Sequence, residues 1–208
     1  MTGRSPAAAS ATGEAGSMGA RLAAPRRRSR STARFLALSG AMLLLSGCYA
    51  SQEPVIENGE KIDIVGRFTC RDVQTGKAYG FEFKERKVGS FFPTYSYEAN
   101  RKTYRFIRID DSTYLGQEGD ERNKLINLFL LRPQGRTATI LVPDVDGSRN
   151  RLQTLLTENR VLINGRTGNG AVILEGEAED KIRLMRVLPQ EVLKEIAVCE
   201  PKPPVETK

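Results

Sequence analysis

Residues 62–84, IDIVGRFTCRDVQTGKAYGFEFK, decide the fold of this chain. Apolar side chains recur at a spacing of two in both halves of the stretch, and a polar turn containing glycine separates the halves. A period of two is typical of a strand that buries one face. The pattern therefore predicts two half-buried antiparallel strands, whose core-facing residues are Ile62, Ile64, Phe68, Cys70, Tyr79, Phe81 and Phe83.

Short apolar segments, separated by turn residues, predict further strands at residues 104–109, 113–116, 125–131, 137–142, 161–164 and 171–175. The run at residues 125–131 is almost entirely apolar, which suits a central strand covered on both faces. Many short strands with frequent turns are typical of barrels and sandwiches. We therefore expect a mainly β, single antiparallel domain, and the sequence leaves barrel and sandwich open.

Helical spacing appears only late in the chain. Leu152, Leu155 and Leu156 predict a short helix. A C-terminal helical region, interrupted at Pro189, is predicted by Ile182, Met185, Leu188, Val192, Leu193 and Ile196. We expect the β-domain with its C-terminal helix to span residues 61–200 and the proline-rich residues 201–208 to form a flexible tail.

The N-terminal segment has the features of an export signal. Residues 1–34 are rich in Ala, Ser, Gly and Arg, and the apolar run at residues 35–45 follows them. That run has the length of the apolar part of a secretory signal and is well short of the roughly 20 residues that span a bilayer. We expect residues 1–47 to be a signal peptide. An alternative start at Met18 gives a leader of more ordinary length.

The sequence Leu45-Ser46-Gly47-Cys48 resembles the lipobox of bacterial lipoproteins. The resemblance implies cleavage before Cys48 and attachment of acyl chains to its sulfur, which makes the lipid bilayer a partner. It also implies a periplasm-facing domain in the cell envelope. Tyr49 replaces the Asp that retains such proteins at the inner membrane, which favours the outer membrane. We expect the polar residues 48–60 to form the lipidated tether.

Two cysteines remain in the mature chain, Cys70 and Cys199. Export places them in an oxidising compartment, where disulfides form and persist. We therefore expect a disulfide between them, which would fix the C-terminal helix to an early strand.

The charge balance argues against a nucleic-acid partner. The chain has 32 Lys and Arg against 25 Asp and Glu, a net charge of +7. Residues 1–47 hold seven Arg and one Glu, so 25 basic and 24 acidic residues remain after cleavage, for a net charge of about +1. The basic excess therefore belongs to the targeting segment, and we expect no nucleic-acid binding.

Few motifs in the chain indicate cofactor or metal chemistry. The chain has no His, which excludes His-dependent nucleophiles and His-ligated metals. The glycine-rich residues 164–170 precede a predicted strand, whereas a phosphate loop precedes a helix. Asp144 and Asp146 resemble part of a calcium loop, but Leu155 stands where the essential Glu would be. We expect neither a cofactor nor a metal.

Any hydrolase chemistry would depend on acidic residues in predicted loops. The candidates are Asp110, Asp111, Glu118, Asp120 and Glu121. A pair of carboxylates is the minimum for glycosidase-type acid and base catalysis. Because predicted hairpin loops hold these residues, solvated surface charge is the simpler interpretation. We expect no enzyme, and a carboxylate hydrolase ranks third among the functions considered.

Aromatic residues are concentrated in one part of the chain: nine of the 14 lie between Tyr79 and Phe106. Within residues 91–105 they alternate with basic residues, a combination typical of interfaces. Packing in the core is the alternative use of the same aromatics. We expect a candidate partner surface for peptidoglycan or an envelope protein at Tyr95, Tyr97, Arg101 and Arg105.

The leading functional hypothesis is therefore an anchored, non-catalytic lipoprotein that binds an envelope component or assists envelope assembly. The first strand, ending near Cys70, and the Phe81-Glu82-Phe83 strand are similar to the opening of small lipoprotein lysozyme inhibitors. That resemblance implies a β-barrel that inserts a loop into the lysozyme cleft. The loop motif of that family, Ser-Gly-x-x-Tyr, is absent, and the nearest match is residues 111–114.

Overall fold

The computed structural model describes residues 48–120, 123–168 and 170–202. The predicted signal peptide, residues 1–47, and most of the predicted tail lie outside the described residues. No helix within the described ranges is long and apolar enough to cross a lipid bilayer.

The described residues form eleven strands and two α-helices. Their bounds are β1 Tyr49–Ser51, β2 Gly66–Asp72, β3 Ala78–Val88, β4 Thr94–Ala99, β5 Lys102–Arg108, β6 Tyr114–Asp120, β7 Asn123–Gln134, β8 Thr137–Pro143, α1 Arg149–Glu158, β9 Leu162–Arg166, β10 Val172–Glu175, α2 Ala178–Val187 and β11 Leu193–Pro201. A single 3₁₀ turn, Gln190–Val192, joins α2 to β11.

Eight of the strands close into an antiparallel barrel. Their order is β6-β5-β4-β3-β2-β11-β8-β7, and pairing of β6 with β7 closes the ring. The predicted fold class is therefore confirmed, and the structure decides the open alternative in favour of the barrel. Because closure pairs the edges of the sheet, it leaves the ring without a free edge strand.

The outer wall of the barrel is covered on one side only. Along β3, half-buried residues alternate with exposed ones, as the period of two predicts. Along β7, Leu128 and Leu130 face an outer core, while Phe129 and Leu131 face the barrel interior. The nearly continuous apolar run at residues 125–131 is thus confirmed as a strand buried on both faces.

A helical layer provides the outer cover of β7 and its neighbours. Leu152 and Leu156 of α1 and Leu184 and Met185 of α2 belong to the outer core together with residues of the barrel wall. The predicted helix around residue 152 is present as α1, and α2 is the helix near the C-terminus.

The segment predicted as a tether is packed in the structure. β1 pairs with β7 and runs parallel to β10, and its three residues are buried. Farther along, Val55 and Ile56 are buried, and the backbone N–H of each donates to the side-chain oxygen of Gln117, at 2.7 Å in both cases. This polar stretch is ordered because Gln117, which is distant in sequence, accepts hydrogen bonds from its backbone N–H groups.

The second half of the predicted C-terminal helical region is a strand. The chain turns at Pro189 and then forms β11, which pairs with β2 and β8. A register shift between Glu195 and Ala197 makes the adjacent Ile196 and Ala197 both buried. This bulge breaks the alternation expected of a strand and produces a spacing that resembles a helix.

Cys70 and Cys199 form the predicted disulfide. The two residues lie directly opposite each other in β2 and β11. The bond therefore joins two strands of the barrel wall, and the expected link to a helix is wrong because Cys199 lies in β11.

Candidate functional site

The interior of the barrel is hollow. It contains a cavity of about 460 Å³ whose wall is made mainly of aromatic and aliphatic side chains. The aromatic residues lining it are Phe68, Tyr79, Phe81, Phe83, Tyr104, Phe106 and Phe129. They come from β2, β3, β5 and β7, where alternation along each strand directs them inward.

Several of these rings pack against one another and fix the shape of the wall. The ring centroids of Phe83 and Tyr104 lie 5.3 Å apart in an edge-to-face arrangement, and those of Phe106 and Phe129 lie 5.9 Å apart in the same arrangement. Edge-to-face pairs at these separations are favourable beyond their burial. These contacts therefore hold the rings in fixed positions around the cavity.

One end of the cavity carries a polar cluster centred on Glu118. Its carboxylate accepts hydrogen bonds from the Tyr104 hydroxyl at 3.0 Å and from the Asn127 amide at 3.1 Å, and it forms an ion pair with the Lys102 ammonium. Burial, followed by the nearby negative charge of Glu118, raises the pKa of Tyr104. Tyr104 thus stays protonated and serves as a hydrogen-bond donor.

Lys102 is the more accessible member of this cluster. The Lys102 side chain is 29% exposed, against 11% for Glu118. An ammonium group has three N–H donors, of which the pair with Glu118 uses one. Lys102 can therefore offer a positive charge and further donors to a group that arrives from solvent.

The exposed residues that line the cavity lie beside the turn that follows β4, which indicates that the cavity opens there. β4 pairs with β3 only along residues 84–88 of β3, so the first half of β3 extends past the end of β4. Ala78, Gly80, Asn100 and Lys102 line the cavity at this point. The polar cluster and the gap between β3 and β4 thus lie at the same end, and the aromatic wall lies behind them.

The predicted partner surface does not form one face. Tyr97 is completely buried, and its hydroxyl donates to the Ile62 carbonyl at 2.9 Å and accepts from the Ile62 N–H at 2.7 Å. Burial also raises the pKa of Tyr97. The expectation that Tyr97 is exposed is wrong because its ring packs among residues of the barrel interior.

The other three members of that predicted surface are also separated. Tyr95 is half-buried and packs against the buried apolar residues of the barrel interior. Arg101 is exposed in the two-residue turn between β4 and β5, with φ of 64°. Arg105 lies between the inward-facing Tyr104 and Phe106 on β5 and therefore points outward. No common binding face follows from these positions.

Cys48 lies at the start of β1, where its carbonyl accepts a hydrogen bond from the Val172 N–H at 3.0 Å. Its side chain is fully buried and belongs to the interior cluster. Burial, and to a smaller extent the charge of Glu118, raises the pKa of the thiol. In this arrangement the sulfur is a protonated core group.

Among the predicted carboxylates, Asp110 has local hydrogen-bond partners, and Glu121 lies outside the described residues. Asp110 accepts hydrogen bonds from the backbone and hydroxyl of Ser112, which close the turn between β5 and β6. Burial acts to raise the pKa of Asp110, but these bonds and those from Thr113 hold it below its usual value. Residues 111–114, the nearest match to the inhibitor loop, complete this turn and begin β6, and Thr113 among them is buried.

Asp144 and Asp146 also have structural roles in the loop before α1. Asp144 accepts a hydrogen bond from the Gly147 N–H, and Asp146 pairs with Arg166 at 2.9 Å. Within the described ranges, no group of three or more acidic or cysteine residues is arranged to hold a metal ion.

Sequence patterns did not reveal a buried contact between Lys181 and Ser51. The Lys181 ammonium donates to the Ser51 hydroxyl at 3.0 Å, and that hydroxyl donates to the Glu53 carbonyl. A lysine beside a serine can form a nucleophilic pair, but Ser51 has no exposed surface. The contact therefore ties α2 to β1.

Glu118, one of the predicted carboxylates, is buried in β6, so its assignment to a hairpin loop is wrong. Sequence analysis also missed its pairing with Lys102. The signal was present as two charged residues at positions that the alternation of β5 and β6 assigns to the interior. Comparison with protein families, with characterised proteins and with solved structures gives no match for this chain.

Proposed function

We propose that this protein is a lipid-anchored envelope protein whose barrel binds one amphiphilic molecule without chemically altering it. The apolar part of the ligand occupies the cavity, and a negatively charged or hydrogen-bond-accepting head group contacts Lys102. The apolar cavity of about 460 Å³ is the single observation that carries this proposal.

The size and lining of the cavity support binding of a small apolar molecule. Ligand sites typically enclose about 300–1,000 Å³ and have mostly apolar walls with a few polar groups. Eight-stranded barrels are just large enough to be filled by side chains or to hold one small ligand. An unfilled apolar space forfeits contacts for its lining atoms, and an apolar ligand restores them.

The cluster at the open end supports the choice of head group. Glu118 already accepts from Tyr104 and Asn127 and pairs with Lys102, so its acceptor capacity is largely used. Lys102 retains donors and is partly exposed. A carboxylate or phosphate head fits this arrangement better than a cationic head, which would compete with Lys102 for Glu118.

The anchor in this proposal remains Cys48, as the lipobox resemblance implies. A diacylglyceryl group has no room around a side chain with no exposed surface. Acylation therefore requires Cys48 to leave its position at the start of β1, with loss of its bond to Val172. Cys48→Ser should abolish labelling by fatty-acid probes and leave an uncleaved precursor; unchanged labelling and processing would contradict the lipobox assignment.

Binding is tested by titrating the delipidated full chain with a fluorescent fatty acid. Ala138 faces the cavity from β8, so Ala138→Phe should fill part of the space and weaken uptake at least tenfold. Val187→Phe on the exposed surface of α2 is the matched control and should leave uptake unchanged. Urea midpoints for both variants show that a loss of uptake is not a loss of folding.

The head-group assignment has its own comparison. Lys102→Met should weaken uptake of a fluorescent fatty acid more than uptake of the corresponding fatty alcohol. If the wild-type chain takes up neither, the cavity is not a ligand site. Inhibition of added lysozyme by the same protein would then support the inhibitor alternative.

A further inference from the structure

The β3–β4 hairpin extends beyond its neighbours in the barrel. Pairing of β3 with β2 ends at Phe83, and pairing of β4 with β5 begins only at Tyr97. Beyond both points β3 and β4 continue as a two-stranded arm of three residue pairs, from Arg86 opposite Ser96 to Val88 opposite Thr94. At roughly 3.4 Å per residue, this arm is about 10 Å long.

The tip of the arm is apolar and exposed. Phe91 is 93% exposed and Phe92 is 91% exposed, and Val88 before the turn is 67% exposed. Gly89 has a φ of 89°, a conformation that permits the tight reversal before the two rings. Large aromatic side chains are usually buried, so two adjacent exposed rings on a projecting turn indicate a contact with another apolar phase.

The sequence around the tip contains no acidic residue. Residues 87–97 contain one lysine, Lys87, and no Asp or Glu. At the base of the arm Arg86 is paired with Glu98 at 2.6 Å, so these two charges cancel. Lys84 and Lys87 remain as positive charges against the half-buried Glu85. This distribution suits the negatively charged surface of a bilayer.

We infer that the Phe91-Phe92 tip inserts into the interfacial region of an anionic lipid bilayer, with Lys87 at the level of the head groups. The two rings would enter the boundary between head groups and acyl chains, and the arm would hold the barrel above the surface. The insertion is independent of the ligand cavity and of acylation at Cys48.

The geometry favours a bilayer over a protein partner. Two phenylalanine side chains expose together roughly 300–450 Å². A stable protein interface buries about 1,000 Å² or more, which a projecting tip does not reach on its own. Lipid can surround a projecting tip on all sides, so the whole apolar surface is removed from water.

The absence of tryptophan from the chain provides a direct test. Phe92→Trp in the mature chain, residues 48–208 carrying Cys48→Ser, places one fluorophore at the tip and removes both the acylated thiol and the apolar segment at residues 35–45. Vesicles of phosphatidylethanolamine and phosphatidylglycerol should shift its emission to the blue, and brominated acyl chains should quench it. Leu162→Trp in the same background is the control, because Leu162 is also exposed but lies on β9.

A second pair of variants measures the contribution to binding. Phe91→Ser with Phe92→Ser should reduce the vesicle-bound fraction roughly tenfold or more, whereas Leu162→Ser with Ile163→Ser should not change it. Absence of quenching at position 92, or equal quenching at positions 92 and 162, would overturn the proposal. Protection of the fluorophore at position 92 by a protein but not by vesicles would overturn it as well.

Discussion

Replacement of Cys70 and Cys199 by Ala together should lower the free energy of unfolding by about 5 kcal/mol. The bond joins residues separated by 129 positions. In the chain-entropy model, closing a loop of this length removes about 5 kcal/mol of conformational freedom from the unfolded chain. The disulfide is therefore expected to be among the largest single contributions to stability.

The structure indicates that this effect acts through the unfolded state. The backbone pairing of β2 with β11 covers five residues of β2, from Phe68 to Asp72, and does not involve the sulfur atoms. The barrel should therefore form in the variant, because the hydrogen bonds between these strands remain. Both cysteines are buried, so Ala is preferred to Ser, whose hydroxyl would need a partner in an apolar wall.

The assay is equilibrium unfolding in urea, followed by circular dichroism. With a denaturant dependence of about 2 kcal/mol per molar, the midpoint should fall by about 2.5 M. The same shift should follow when a reductant is added to the wild-type protein. The reductant should have no effect on the double variant, which provides the matched control.

Two results would contradict this reasoning. The first is a midpoint in the double variant within about 0.5 M of the wild-type value, since that leaves no room for the loop-closure effect. The second is a mass spectrum of the exported wild-type protein that shows free thiols at both Cys70 and Cys199.

Two further substitutions and one control test the packing of the wall and the turn after β2. An added Cβ at Gly116 would lie within 2.9 Å of three ring carbons of Phe129, so Gly116→Ala should cost about 1–3 kcal/mol in urea unfolding. Gly80→Ala meets nothing within 4 Å and should change stability little. At Asp72, burial acts to raise the carboxyl pKa, but hydrogen bonds from Thr75 lower it below its usual value. Asp72→Asn should therefore cost about 1 kcal/mol at neutral pH, and midpoints measured across pH should converge as the pH falls through the pKa of Asp72 in the folded state.

Local sequence patterns predict the strands well where one face of the barrel meets water. The alternation in residues 79–83 corresponds to half-buried and exposed positions on β3. The apolar run at residues 125–131 corresponds to a strand between two cores. In both cases the environment is uniform along the strand, so the period of the sequence reports it directly.

The patterns fail where a long-range contact determines local structure. Nothing in residues 49–60 indicates that Gln117 will accept hydrogen bonds from Val55 and Ile56. Similarly, the bulge after Glu195 gives β11 an irregular apolar spacing. The spacing predicts a helix there because one displaced residue in a strand produces the same short-range pattern as a helical repeat.

The candidate site was only partly predictable. Alternation assigns Phe81 and Phe83 to the interior, and the structure confirms that they line the barrel. Whether such residues meet at the centre or leave a space depends on the number and tilt of the strands, which no local pattern contains. Tyr97 shows the same limit. It is buried, whereas the nearby Phe91 and Phe92 are exposed, and no local pattern distinguishes them.

The division into two cores explains how the barrel can be hollow and still stable. Leu115, Leu128 and Leu141 bury their side chains against the helical layer, outside the ring. This outer core supports β6, β7 and β8, so that part of the wall does not depend on a filled interior. The disulfide supports the junction of β2 and β11, where the helical layer contributes little. With the wall held from outside and across this junction, the inward-facing aromatics can surround a cavity, and the polar cluster of Lys102 and Glu118 can persist beside it.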